Sequence, residues 1–213
     1  KPVRTIRKVN STAAPVPQNT SSNQQVDVVL IGVSTGGPKK LEQILTQLSP
    51  QFPAPIVIAQ HMPASFTSAL SNRLDGICPL PVMEAGNKTK LKRGCVYIAK
   101  GDSDVVFSKS GQDIFIRPVP SSPSFLWHPS VDRMVESALS CYEPMNMVCV
   151  QLTGMGYDGA HAMSKAFKGG AITIAESEKS AVFGMPKELI EAGCASFTLD
   201  SHHISGKLNT LCR

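Results

Sequence analysis

Short, nearly continuous runs of apolar residues alternate with amphipathic stretches from position 26 onwards. The first run, positions 26–32, is rich in β-branched residues and predicts a strand buried on both faces of a parallel sheet. Positions 38–48 follow with leucine and isoleucine at helical spacing and a proline suited to the first helical turn. A second apolar run at 55–59 completes a β-α-β unit, which predicts parallel pairing through a right-handed crossover.

The middle of the chain, positions 79–120, departs from this pattern. Its apolar runs are short and separated by turn-forming residues, which predicts an antiparallel insertion. The three strands expected there cover positions 96–99, 104–107 and 113–116. Ser108-Lys109-Ser110-Gly111 joins the last two strands and is typical of a hairpin turn.

Alternation of helix and strand patterns resumes in the C-terminal half. The predicted elements are a helix at 131–139, a third buried strand at 147–152, a helix reaching about position 167, a strand at 171–175 and a helix from position 186. The predicted fold is therefore α/β and doubly wound, with a mostly parallel sheet, helices on both faces and a short antiparallel insertion. Residues 26–213 are expected to form this one domain.

Residues 1–25 are rich in Ser, Thr, Asn, Gln and Pro and predict a linker or disordered arm. They carry four basic residues and no acidic one, so most of the net charge of +5 lies in this segment. The rest of the chain is nearly neutral and shows no basic face interleaved with aromatic residues, which argues against nucleic-acid binding.

Composition also bears on location and cofactors. No apolar run approaches the roughly 20 residues that span a bilayer, and no secretory signal is evident, which predicts a cytoplasmic protein without membrane insertion. The six cysteines form no C-x-x-C pair and lie at no zinc-ligand spacing, and the histidines show no metal-binding motif. We therefore expect neither a metal nor a cofactor.

Each of the three best-predicted strands is followed by a residue whose side chain can take part in catalysis. Ser34 follows the first strand, His61 the second and Asp158 the third. Because ligands bind outside the carboxyl ends of parallel strands, a nucleophile, a base and a carboxylate are expected to converge there. The pattern G-x-S-x-G at 32–36 is that of a nucleophile elbow.

Each of these residues also has another interpretation. A glycine-rich turn before a helix can hold a phosphate, although no G-K-[S/T] ends this loop and no acidic residue follows the second strand. His61 taken alone can be structural, and Asp158 beside a glycine can be a turn residue. The chain order Ser, His, Asp differs from that of the α/β hydrolases, so the elbow alone does not assign the chain to their lipases and esterases.

Four motifs occur together with a further match at Pro129-Ser130-Val131-Asp132. The motifs are Ile31-Gly32-Val33-Ser34-Thr35-Gly36-Gly37-Pro38, Gln60-His61-Met62-Pro63, Leu152-Thr153-Gly154-Met155-Gly156-Tyr157-Asp158-Gly159-Ala160 and Phe183-Gly184-Met185-Pro186. In this order and spacing they closely resemble the catalytic domain of the chemotaxis protein-glutamate methylesterase CheB. The resemblance covers about residues 26 to 200.

The resemblance implies a serine hydrolase that removes methyl groups from glutamyl methyl esters of bacterial chemoreceptors and that also deamidates receptor glutamines. It implies that Ser34, His61 and Asp158 form the catalytic triad, and that backbone N–H groups near Thr35 and Met155 stabilise the oxyanion. A catalytically silent domain that binds a receptor or a kinase in a related signalling pathway is the alternative.

The partners implied by the resemblance are the cytoplasmic domains of methylated chemoreceptors and, as a further candidate, the chemotaxis histidine kinase. Full-length relatives carry an N-terminal receiver domain, and residues 1–25 resemble the end of the linker that follows it. Two positions depart from the family pattern: Lys100 stands where proline is usual, and Glu176 where glutamine is common.

Overall fold

The computed structural model describes residues 25–213, so the predicted arm lies outside the described residues except for its last position. Six α-helices are assigned within this range: α1 (Gly37–Leu45), α2 (Ala64–Asp75), α3 (Val131–Ala138), α4 (Ala160–Lys168), α5 (Met185–Glu191) and α6 (Ser201–Leu211). None of these helices is long and apolar enough to cross a membrane.

A seven-stranded sheet forms the centre of the molecule. Its strands are β1 (Val28–Val33), β2 (Ile56–Gln60), β3 (Val82–Ala85), β5 (Val96–Ala99), β8 (Met147–Gln151), β9 (Ile172–Glu176) and β10 (Phe197–Leu199). They lie in the order β10-β9-β8-β1-β2-β5-β3, and every neighbouring pair is parallel. The first strand lies between β2 and β8, so the strand order reverses beside it, which is where α/β folds place their ligands.

A smaller antiparallel sheet has the order β4-β7-β6 and is built from β4 (Thr89–Lys90), β6 (Ser103–Ser110) and β7 (Asp113–Pro120). The last two strands form the predicted hairpin and are longer than expected. The strand at 96–99 differs from its prediction, because it pairs in parallel with β2 and β3 inside the main sheet. Its four residues are all buried, as a central parallel strand requires.

Helices cover both faces of the main sheet, which confirms the doubly wound fold. Side chains of the first strand alternate between two apolar clusters, with Val29 and Ile31 on one face and Val28 and Leu30 on the other. The first cluster is completed by α1, α2 and α6, and the second by α3, α4, α5 and the small sheet. The sheet is thereby held rigid between two layers, with its carboxyl edge left for the site.

Candidate active site

Ser34 is the first residue after β1 and stands in a tight turn into α1. Its N–H donates to the Thr153 carbonyl at 2.9 Å, and its own carbonyl accepts from Gly37 N–H at 2.9 Å. The buried Gln60 adds a hydrogen bond from Nε2 to the same carbonyl at 3.0 Å. Gly36 has φ +80°, in the left-handed region that favours glycine. The turn is thus fixed by a backbone hydrogen bond to Thr153 after β8 and a side-chain hydrogen bond from Gln60 at the end of β2.

His61 and Asp158 meet at the same edge of the sheet. His61 Nε2 lies 2.7 Å from Asp158 Oδ2, and both side chains are almost fully buried. The backbone N–H of His61 donates to the Val33 carbonyl at 3.0 Å, which links the end of β2 to the residue before the serine. A carboxylate in this contact orients an imidazole and stabilises its protonated form.

The N-terminus of α3 holds Asp158 in place. Its carboxylate accepts from Val131 N–H at 2.7 Å, from Asp132 N–H at 3.0 Å and from the Ser130 hydroxyl at 3.0 Å. These donors and the positive end of the helix dipole stabilise the negative charge. The Pro129–Asp132 motif was noted in the sequence only as a further match, and these contacts give its physical role.

Asp132 lies next to this carboxylate and caps α4 by accepting from Ala162 N–H at 2.8 Å. Burial raises the pKa of Asp132, and the nearby charge of Asp158 raises it further, against the lowering effect of the hydrogen bonds it accepts. Both carboxylates are buried, but Asp158 contacts His61 and the start of α3, whereas Asp132 contacts the start of α4.

No hydrogen bond joins Ser34 Oγ to His61 within the part of the chain that the structure describes. His61 Nδ1 is buried and has no hydrogen-bond partner among residues 25–213. Because Nε2 is engaged by Asp158, Nδ1 is the ring nitrogen left to accept a proton. Hydrogen bonds between a nucleophile and its base are often long before substrate binds.

Thr35 and Met155, the residues expected to supply oxyanion donors, lie on the two loops that enclose the serine. Neither backbone N–H donates a hydrogen bond to another described residue. Gly154, next to Met155, is so close to the nucleophile that an added Cβ would lie 2.6 Å from Ser34 Cβ. Both N–H groups therefore have no acceptor among the described residues and lie on the loops that flank the serine.

Backbone contacts to the Phe183–Pro186 motif fix the loop that carries Met155. The Gly154 carbonyl accepts from Gly184 N–H at 3.0 Å and from Met185 N–H at 2.9 Å. Its N–H donates to the Val182 carbonyl at 3.0 Å. Gly184 leaves room for this approach, since a Cβ there would lie 2.6 Å from the Gly154 carbonyl oxygen.

Glu176, which differs from the family pattern, supports the same loop through its carboxylate. It is 1% exposed, accepts from Thr153 N–H at 2.8 Å, and lies 3.0 Å from the Lys40 ammonium. Lys40 and Glu176 form an ion pair, although the lysine is not oriented to donate a hydrogen bond to Glu176 Oε1. Since the Thr153 carbonyl holds Ser34 N–H, this pair connects α1 and β9 to the nucleophile turn.

Trp127 is a second residue that sequence reasoning passed over. Its indole stacks on the His61 ring with centroids 6.0 Å apart and an interplanar angle of 8°. The adjacent open cleft has a volume of about 420 Å³. Its lining residues are His61, Met62, Pro63, Asp102, Ser121, Leu126, Trp127 and His128.

His161, His202 and His203 lie away from this arrangement. His161 is exposed on α4. Asp200, His202 and His203 come together at the start of α6, with their ligand atoms within 4.8 Å of one another. The aspartate is already engaged by Lys179 at 2.8 Å, and hydrogen bonds from Lys179 and Ser177 lower its pKa to about 2. The cluster takes no part in the site at the sheet edge.

The family model for the CheB methylesterase domain matches residues 29–208. The chain belongs to the CheB methylesterase family. Two similar relatives are protein-glutamate methylesterase/protein-glutamine glutaminase 3 of Rhodospirillum rubrum, 50% identical over 92% of this chain, and protein-glutamate methylesterase/protein-glutamine glutaminase 2 of Carboxydothermus hydrogenoformans, 42% identical over 93%. This chain covers 53% and 56% of these relatives, so it spans about half of their length.

A solved CheB structure agrees with the fold. The crystal structure of the Thermotoga maritima CheB methylesterase catalytic domain aligns with a TM-score of 0.84 at 39% identity. The alignment covers 88% of this chain and 99% of that domain. The described residues thus correspond to a CheB methylesterase catalytic domain in fold, including the parallel sheet and its small antiparallel partner.

Proposed function

We propose that this CheB-family domain hydrolyses glutamyl methyl esters of bacterial chemoreceptors, with Ser34 as nucleophile, His61 as general base and Asp158 as its orienting carboxylate. The observation that carries the proposal is the buried 2.7 Å contact between the imidazole and the carboxylate at the strand end beside the serine. The names of its relatives support both the ester substrate and a glutaminase activity.

The proposed mechanism transfers protons through His61. Ser34 Oγ attacks the ester carbonyl carbon while His61 Nδ1 accepts the hydroxyl proton. The Nε2 proton stays on the imidazole and remains hydrogen-bonded to Asp158, whose carboxylate balances the imidazolium charge. The same imidazolium then donates its Nδ1 proton to the departing methoxide, and methanol leaves.

The tetrahedral intermediate carries its negative charge on the former carbonyl oxygen. Backbone N–H groups of Thr35 and Met155 are the proposed donors to this oxygen, each worth about 3 kcal/mol in the transition state. Water, deprotonated by His61, resolves the acyl-enzyme and regenerates Ser34. With a glutamine substrate the steps are the same, and ammonia is the leaving group.

We further propose a cytoplasmic setting, in which the substrates are the cytoplasmic domains of methylated chemoreceptors. All six cysteines are free, as is usual in a reducing compartment. A receiver domain in the full-length protein and the chemotaxis histidine kinase are the other proposed partners. Both follow from the family and the relatives' greater length rather than from a contact in this domain.

The test is release of labelled methanol from membranes that contain methyl-labelled chemoreceptors. We expect the wild-type domain to release methanol and Ser34→Ala to lose at least about three orders of magnitude in rate. Ser110→Ala, at the exposed hairpin of the small sheet, is the matched control and should retain the wild-type rate. Binding of receptor membranes without methanol release would instead support a silent binding domain.

A further inference from the structure

The segment 122–130, here called the strap, passes beside the site and is tied to one buried carboxylate. Asp104 is 0% exposed and accepts from Ser122 N–H at 3.1 Å and from Ser130 N–H at 2.8 Å, at the two ends of the strap. It also bonds His128 Nδ1 at 2.8 Å and Arg133 at 2.6 Å. The strap is therefore a closed loop anchored at a single point beneath it.

The strap places Trp127 flat against His61. The two rings are nearly parallel, with an interplanar angle of 8°, and Tyr157 packs edge-on against the indole at 5.1 Å. Gly156 is shaped to this contact, because a Cβ there would lie 2.6 Å from two atoms of the indole. The indole is thus held by the strap on one side and by the loop after β8 on the other.

The packing of Trp127 restrains the orientation of the His61 imidazole, which its one hydrogen bond leaves incompletely fixed. Asp158 holds the imidazole through Nε2, whereas Nδ1 is buried and has no partner within residues 25–213. A single hydrogen bond leaves the ring free to tilt about its axis, and an exposed Nδ1 would be hydrated. The face of the indole limits that tilt and keeps water from the ring.

We infer that Trp127 is a positioning residue, which holds the His61 imidazole with Nε2 on Asp158 and Nδ1 unhydrated for the Ser34 proton. The inference rests on the proposed acyl transfer for its kinetic consequence, but the ring contact itself is independent of substrate. It also gives the strap and its anchor, Asp104, a function in the active site.

The kinetic test compares Trp127→Leu with Trp127→Phe. A small fluorophosphonate that labels the serine reports nucleophile activation without receptor docking. We expect labelling of Trp127→Leu to slow about tenfold, because the base is less well positioned. The kcat for methanol release should fall by the same factor with KM changed less than about twofold, and Trp127→Phe should recover most of the loss. Phe125→Leu, an aromatic replacement elsewhere in the strap, is the matched control.

A spectroscopic test reads the contact directly, since Trp127 is the only tryptophan in the chain. A ring stacked on the indole shields it from small quenchers in solution. Emission and its quenching by acrylamide are therefore measured at pH 7 for the wild type, for His61→Gln and for the control Phe125→Leu.

We expect acrylamide to quench the emission of His61→Gln more strongly than that of the wild type, and Phe125→Leu to behave as the wild type. The same quenching in His61→Gln as in the wild type would overturn the ring contact. Labelling of Trp127→Leu at the wild-type rate would overturn the positioning role even if the contact exists. The proposed function fails separately, if Ser34→Ala releases methanol as fast as the wild type.

Discussion

The ion pair between Lys40 and Glu176 joins α1 to the end of β9, and replacing the lysine by methionine leaves a buried carboxylate without its counter-ion. The Glu176 side chain is 1% exposed and that of Lys40 is 19% exposed. Removing one partner of a buried ion pair costs about 3–5 kcal/mol. Because water can reach the lysine site, we expect Lys40→Met to lose about 3 kcal/mol of unfolding free energy, which lowers Tm by roughly 6–12 °C.

The double variant Lys40→Met/Glu176→Gln removes both charges and keeps an acceptor for Thr153 N–H. It should unfold within about 1 kcal/mol of the wild type. Lys39→Met makes the same replacement one residue earlier, at an exposed position, and should change stability by less than about 0.5 kcal/mol. The assay is urea unfolding at pH 7. The reasoning is refuted if Lys40→Met is as stable as Lys39→Met, or if the double variant is no more stable than Lys40→Met.

Three further perturbations test other parts of the site. Burial would raise the pKa of Asp104, but hydrogen bonds from His128, Ser130 and Arg133 outweigh burial and lower the pKa. The Asp104 carboxylate therefore stabilises the fold above its unfolded pKa of about 4, and this stabilisation is lost as the pH falls below that value. Asp104→Asn should therefore lose about 3 kcal/mol at pH 7, and urea unfolding should show this gap narrowing between pH 5 and pH 2.5. Gly156→Ala, at φ +83° and against Trp127, should cost at least about 2 kcal/mol and alter the tryptophan emission; an unchanged Tm and spectrum would contradict the packing. Asp158→Asn should lower kcat for methanol release by roughly four orders of magnitude, and a loss under tenfold would remove its orienting role.

Continuous apolar runs with β-branched residues made the central strands predictable, because a parallel strand between two helical layers has no polar face. The prediction for positions 96–99 is wrong, because a short apolar run fits both an insertion strand and a central parallel strand. Its four buried residues form a strand between β2 and β3 of the main sheet. The sequence pattern predicts no helix in the regions of α2 and α6. Each carries several Ser, Thr or Asn residues that dilute the apolar stripe, and tertiary packing decides their conformation.

The candidate site was predictable where it follows strand ends. The carboxyl ends of β1 and β2 are followed directly by Ser34 and His61, and the loop after β8 carries Asp158. The parallel sheet topology brings these strand ends together. Trp127 and Asp104 were not predictable, because their contacts join segments far apart in sequence and neither belongs to a strand-end motif. An isolated tryptophan beside the Pro129–Asp132 motif was the one available signal.

The central claim is that Ser34 is the nucleophile activated by His61, and covalent labelling followed by peptide mapping tests it most directly. We predict that a serine-directed fluorophosphonate adds one label to the wild-type protein, on the peptide that contains Ser34. Ser34→Ala should remain unlabelled and His61→Gln should label at least a hundredfold more slowly. A label on another serine, or wild-type methanol release by the Ser34→Ala protein, would contradict the account.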